Sequence, residues 1–129
     1  MLTLQADPLA EPRRRVVIAT GEPAISRIIC HKLNREGHDV TNVATAQALE
    51  DVLAGGVIDA ALVDPLLADL DPTLITGRVT YGWLAIVDGR SPELAERAMH
   101  AGAAGLVRTP FKPTEVAAQV ATLLALIRR

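Results

Sequence analysis

Three carboxylates stand where short apolar runs give out: Glu22 beyond residues 16–19, Asp64 beyond 57–63 and Asp88 beyond 83–87. Gathered at one edge, they would offer hard oxygen ligands to a divalent cation, or one of them would be held protonated by its neighbours. The plainer use of each is a hydrogen bond to an amide of its own loop. Cys30 and His31 are adjacent and invite a nucleophile–base reading, but neighbouring helix positions diverge by about 100°, so the two cannot face one another. A core thiol and a surface imidazole are expected instead. His100 falls near the end of a predicted helix, where the terminal carbonyls favour a cation. No nucleophile paired with a base and no phosphate-cradling glycine loop is readable, so this is not expected to be an enzyme.

These residues belong to a chain of 129 residues with one cysteine, a formal net charge of −2 and a hydrophobic fraction of 50%. That is the length and apolar content of one domain with a sizeable core. Charged residues make up 22%, with neither the basic excess of a nucleic-acid binder nor the apolar-poor profile of a disordered chain. A lone Cys30 cannot close an internal disulfide, and no Cys/His spacing suggests zinc, so a metal-independent fold in the cytoplasm is expected. No apolar run approaches the roughly 18–20 residues of a membrane helix, and the start carries no secretory pattern, so no membrane association is expected. Residues 1–12, with Pro8 and Pro12, read as a flexible N-terminal extension; 13–129 read as the folded domain, led in by Arg13, Arg14 and Arg15 as a solvated stretch. Aromatic residues are only 2%. The core must then be built from Ala, Val, Leu and Ile, which suits a parallel sheet covered on both faces.

The elements that must position the acids follow from pattern. Residues 16–19 read as a buried strand ending at Thr20-Gly21-Glu22; Pro23 opens a helix to about Glu36, with Ile25, Ile28, Ile29 and Leu33 on one side and Gly37 as its left-handed cap. A strand at 39–44 leads to a helix capped by Thr45 that turns Ala48, Leu49, Val52 and Leu53 inward and ends at Gly55-Gly56. The third strand is 57–63. Asp71-Pro72 open a short third helix, interrupted by Gly77. After the fourth strand, 83–87, Ser91-Pro92 start a fourth helix with Leu94, Ala95, Ala98 and Met99 inward, closing at Gly102. A short strand at 106–108 runs into Thr109-Pro110. The last helix, from Pro113, carries Val116, Val120, Leu123, Leu124 and Ile127, with Arg128-Arg129 suited to its C-terminus. Five strands alternating with five helices define a doubly wound α/β sheet, whose functional crevice lies at the carboxyl ends of the strands. Thr20, Gly21, Glu22, Asp64, Asp88 and Thr109 should therefore gather at one edge.

Four features occur together in order: the apolar strand into Glu22-Pro23, Asp64 after Ile58-Asp59-Ala60-Ala61-Leu62-Val63, the Ala101-Gly102-Ala103 turn, and Pro110-Phe111 with Pro113. On these residues the chain, over 14–129, resembles the receiver domain of two-component response regulators. The resemblance implies a flavodoxin-like five-stranded parallel sheet in the order 2-1-3-4-5 with helices on both faces. It also implies a phosphoryl group taken from a histidine kinase onto Asp64, with Mg²⁺ held by an acidic pair. Here that pair falls on Thr20 and Gly21, which leaves Glu22 and Asp64 as the metal-ligand candidates and removes most of the hard oxygen donors. The family's hydroxyl position is Asp88, a carboxylate that repels a phosphoryl group, and its lysine position is Thr109. Its switch aromatic falls on Leu106, and Ala68 and Pro72 stand where it carries proline and glycine. Arg108 does not replace the lysine, because adjacent strand residues point to opposite faces; its stem is expected to pack on a helix with its head in solvent.

Phosphoryl transfer is catalysed mostly by positioning and charge stabilisation, so these departures remove most of what such a domain contributes. The function expected is that of a degenerate receiver, without a required cofactor, that signals through protein–protein contact. Its partner would be a histidine kinase, a phosphotransfer or output protein, or a second copy of the chain. The contact face expected is the fourth helix, fifth strand and last helix, around Ala95, Met99, Leu106, Val107, Ala117 and Ala121. Two alternatives stay open: a working phospho-receiver using Asp64 and Mg²⁺, and a small-ligand sensor at the strand ends.

Overall fold

The computed structural model describes residues 13–125. The expected N-terminal extension, Ile127 and the two terminal arginines lie outside them. Five strands, β1 (Arg15–Ala19), β2 (Asp39–Val43), β3 (Ala60–Val63), β4 (Gly82–Asp88) and β5 (Gly105–Thr109), form one parallel sheet in the order β2-β1-β3-β4-β5. Four helices connect or follow them: α1 (Pro23–Arg35), α2 (Ala46–Ala54), α3 (Pro92–His100) and α4 (Pro113–Ala125). The doubly wound sheet expected from the sequence is therefore present.

Strand alternation divides the core into two layers. Val16 and Ile18 of β1, with Ala60 and Leu62 of β3, face Ile29 and Leu33 of α1 and Val116, Val120, Leu123 and Leu124 of α4. Val17, Ala19, Ala61 and Val63 face the opposite way, toward Leu49 and Leu53 of α2 and Ala95 and Ala98 of α3. The single tryptophan, Trp83, is fully buried in this second layer.

Local chemistry sets the helix ends. Pro23, Pro92 and Pro113 each stand at the first position of a helix, where the missing N–H would have no intrahelical partner. Thr45 Oγ1 accepts from the Ala48 amide at 3.1 Å and Ser91 Oγ from the Leu94 amide at 3.4 Å. Gly37, at φ 93°, turns the chain off α1 while the His38 amide reaches back to the Leu33 carbonyl at 3.1 Å.

The expected third helix is corrected to a single 3-10 turn, Pro72–Leu74. Asp71 Oδ1 accepts from both the amide and the hydroxyl of Thr73, at 3.1 and 2.6 Å, and Gly77 takes φ 92° three residues beyond the turn. One turn is capped and the backbone then leaves helical space. The third strand starts at Ala60, not at residue 57, and Val57 is largely exposed. On α1, Ile29 and Leu33 are buried and Ile25 is half-buried, but Ile28 is 46% exposed, so the inward stripe is narrower than expected.

Candidate functional site

The carboxyl ends of β1, β3, β4 and β5 bring Thr20, Asp64, Asp88 and Thr109 to one edge. The Asp64 amide donates to the Ala19 carbonyl at 2.8 Å, so Asp64 continues the β1–β3 ladder and stands beside Thr20. Its side chain is half-buried, and Oδ1 accepts from the Leu66 amide at 2.9 Å, closing an Asx turn over Pro65. Oδ2 has no hydrogen bond within the described residues.

Thr20 is buried, at 3% exposure, and its Oγ1 accepts from the Glu22 amide at 3.2 Å. Gly21 is exposed, and a Cβ built there would meet only Leu67 Cδ2 at 3.9 Å, an ordinary contact. Space does not forbid a carboxylate at this position. Glu22 is the extended N-cap residue of α1; its exposed side chain makes no capping bond.

Asp88 and Thr109 are the last register pair of β4 and β5. Asp88 Oδ1 accepts from the Arg90 amide at 2.8 Å, and the Arg90 guanidinium reaches both carboxylate oxygens at 3.4 Å. The amide bond, then the guanidinium, hold the Asp88 carboxyl below its ordinary pKa. Thr109 Oγ1 donates to the Val87 carbonyl at 3.4 Å, within the sheet end and not toward Asp64.

The carboxylate trio suggested by the sequence is corrected: among the described residues no three His, Cys, Asp or Glu side chains converge to hold a metal ion. Asp64 Oδ1 is engaged by the Leu66 amide and Asp88 by Arg90, while Glu22 is exposed at the helix start. The residues present do not fit the Mg²⁺ implied by the resemblance. Thr20 uses its oxygen on an amide and Gly21 supplies no side-chain oxygen, so the carboxylate pair that would hold such an ion beside Asp64 is missing from these two positions.

A depression of about 330 Å³ lies nearby, lined among others by Thr45, Gln47, Glu50, Leu67 and Asp69. None of Glu22, Asp64, Asp88 and Thr109 lines it.

The expected contact face is also corrected. Ala95 and Ala117, each 9% exposed, and Val107, at 1%, point into the core. Met99, expected among the inward residues, is 45% exposed, Ala121 is exposed, and Leu106 is half-buried against the second layer. A helix with Ala95 and Ala98 on the sheet turns Met99 about 100° away from Ala98.

Cys30 is half-buried, packs on the first layer and accepts from Asn34 Nδ2 at 3.3 Å, while His31 is exposed. His100 lies exposed in the last turn of α3 and Arg108 is exposed on β5. Sequence reasoning missed Arg90. The run Asp88-Gly89-Arg90-Ser91-Pro92 carried the signal, an Asx turn leading into a capped helix with proline at its first position.

No protein-family model matches the chain, and no curated protein sequence does. Solved structures do match: the fold is that of response-regulator receiver domains. A putative response regulator from Chloroflexus aurantiacus superimposes with a TM-score of 0.82 at 18% identity, covering 88% of this chain and 99% of that one. A two-component response regulator from Clostridium difficile also gives 0.82, at 13% identity over 91% of this chain and 100% of the other. The chemotaxis response regulator CheY4 of Vibrio cholerae gives 0.77 at 17% identity, over 87% and 99%. At these identities the likeness is one of fold. No helix among the described residues is long and apolar enough to cross a membrane.

Proposed function

We propose that this chain is a receiver-type module of two-component signalling in the cytoplasm. It acts through protein–protein contact, not as an enzyme and not through a Mg²⁺-dependent acyl phosphate on Asp64. The observation that carries the reading is the state of Asp64's neighbours. The Thr20 hydroxyl is turned to an amide, Gly21 has no side chain, and the Thr109 hydroxyl is turned to the Val87 carbonyl. Among the described residues Asp64 thus has no ion pair with a cation and no side-chain oxygen from Gly21 beside it, and electrostatic stabilisation is the larger part of phosphoryl transfer. The partners that suit this fold are a histidine kinase, a phosphotransfer protein or an output protein. The face inferred for contact is the solvent side of α3 around Met99, with Leu106 at its margin. A homodimer would use the same face.

A second reading, acceptance of a phosphoryl group by Asp64, draws on its place at the end of β3 and on its Oδ2, which has no hydrogen bond among the described residues. Amide NMR spectra with Mg²⁺, then with beryllofluoride, and the same on Asp64→Asn, decide between the two. The contact reading expects spectra that do not change. Shifts around Asp64 that need both Mg²⁺ and the native aspartate would overturn it in favour of the phospho-receiver. Sedimentation at high concentration, with a pull-down, tests the contact face: a monomer with no recovered partner counts against it.

A further inference from the structure

We infer that Asp88 is a latch, whose carboxylate closes the turn between β4 and α3 in a single arrangement, while the Gly89 amide ties that turn to the end of β5. Five hydrogen bonds close around the connection of residues 88–94. The Arg90 amide donates to Asp88 Oδ1 at 2.8 Å and the Ser91 amide to the Asp88 carbonyl at 3.0 Å. The Gly89 amide crosses to the Thr109 carbonyl at 3.0 Å, Thr109 Oγ1 returns to the Val87 carbonyl at 3.4 Å, and Ser91 Oγ caps the Leu94 amide at 3.4 Å. The approach of loop to strand is close: a Cβ on Gly89 would lie 2.8 Å from the Thr109 carbonyl oxygen. Only glycine lets these two backbones meet.

The Arg90 side chain contributes little to this closure, because it is 92% exposed and reaches the carboxylate only at 3.4 Å. Of the bonds that the Asp88 carboxylate makes, the one to the Arg90 amide, at 2.8 Å, is the shorter and better placed. Each group in the latch comes from residues 87–94 or from Thr109, and none from the Asp64 loop. The hydrogen bonds of the latch are thus separate from those of the Asp64 loop, and the inference holds under either reading of Asp64. In the sequence, Asp88 looked like a ligand or a source of repulsion; its work is to hold a loop.

Solvent exchange of amides in the intact chain, with ¹⁵N relaxation dispersion over residues 88–95, tests this. In the native protein the Arg90 and Ser91 amides exchange slowly and the segment shows no dispersion. Asp88→Ala raises exchange at Arg90 by about tenfold and brings dispersion into residues 88–95, while amides of Val17 and Leu62 keep their rates. Asp88→Asn, which keeps an acceptor oxygen and drops the charge, retains most of the protection. Dispersion already present in the native segment, an unchanged Asp88→Ala, or an Asp88→Asn as loose as Asp88→Ala would each overturn the latch.

Discussion

The indole Nε1 of Trp83 donates to Thr76 Oγ1 at 2.9 Å, and that hydroxyl donates onward to the Ala101 carbonyl at 3.1 Å. Trp83 is fully buried on β4, Thr76 lies in the segment that replaces a third helix, and Ala101 is the C-cap of α3. One hydroxyl therefore ties three parts of the molecule together. Thr76→Val keeps the shape and removes both bonds, leaving a buried indole N–H without an acceptor. A loss of about 1–3 kcal/mol is expected in urea denaturation followed by the single tryptophan's fluorescence. Thr76→Ser should recover most of it; equal losses in the two variants would place the effect in packing.

The same hydroxyl crowds Gly102. This residue takes φ +107°, and a Cβ there would lie 2.2 Å from Thr76 Oγ1. Gly102→Ala then suffers both backbone strain and a collision, and about 2 kcal/mol or more of destabilisation is expected. In a double-mutant cycle with Thr76→Ala the two changes should be less than additive, because the second relieves the collision caused by the first. Strict additivity would show that backbone strain alone is responsible.

His38 links stability to pH. Burial lowers its pKa, Glu36 opposes the shift, Arg14 adds to it, and the imidazole Nδ1 is buried without a hydrogen-bond partner among the described residues. With the folded pKa below the ordinary 6.5, the unfolded chain takes up the proton first as pH falls. Its contribution to stability is present above 6.5 and lost as pH drops from there through the lowered folded value. Denaturation midpoints measured from pH 7.5 down to about 5 should decline in the native chain. They should decline less in His38→Leu; parallel slopes would exclude His38 as the cause. Asp88 does not confuse the reading, since its pKa moves down from 3.8 and it titrates outside this range.

The missing chemistry at the edge can be supplied. Gly21 has room for a side chain, and Asp88 and Thr109 already face one another in register. The triple variant Gly21→Asp, Asp88→Thr, Thr109→Lys is expected to gain Mg²⁺-dependent shifts with beryllofluoride around Asp64 that exceed those of the native chain. A triple variant as silent as the native chain would mean that the edge differs in geometry, not only in residue type.

Most of the fold was legible because apolar runs and punctuation agreed. Pro23, Thr45, Ser91-Pro92 and Pro113 marked helix starts, and the continuous runs marked strands buried on both faces. The third helix was not legible in full. The residues that end it, Thr76 and Gly77, act through a long-range bond to Trp83 and a positive φ. At the site, the positions of Asp64, Asp88 and Thr109 were readable from the strand ends, but the direction of each side chain was not. The carboxylates of Asp64 and Asp88 turn to amides two residues ahead, and nothing in residue type distinguishes that from a metal ligand. Ala95 and Val107 were expected on the contact face because their elements border it; strand alternation and helical periodicity place their side chains inside.

The second layer gives α3 only alanines, Ala95 and Ala98, as its fully buried footing, and polar bonds hold both of its ends: the Asp88 turn at the start and Thr76 on Ala101 at the close. Such a helix owes little of its placement to the residues that face water. Glu93, Glu96, Arg97, Met99 and His100 can drift without disturbing the fold. Substitutions on that outer face are expected to change its chemistry while the scaffold beneath keeps the same shape.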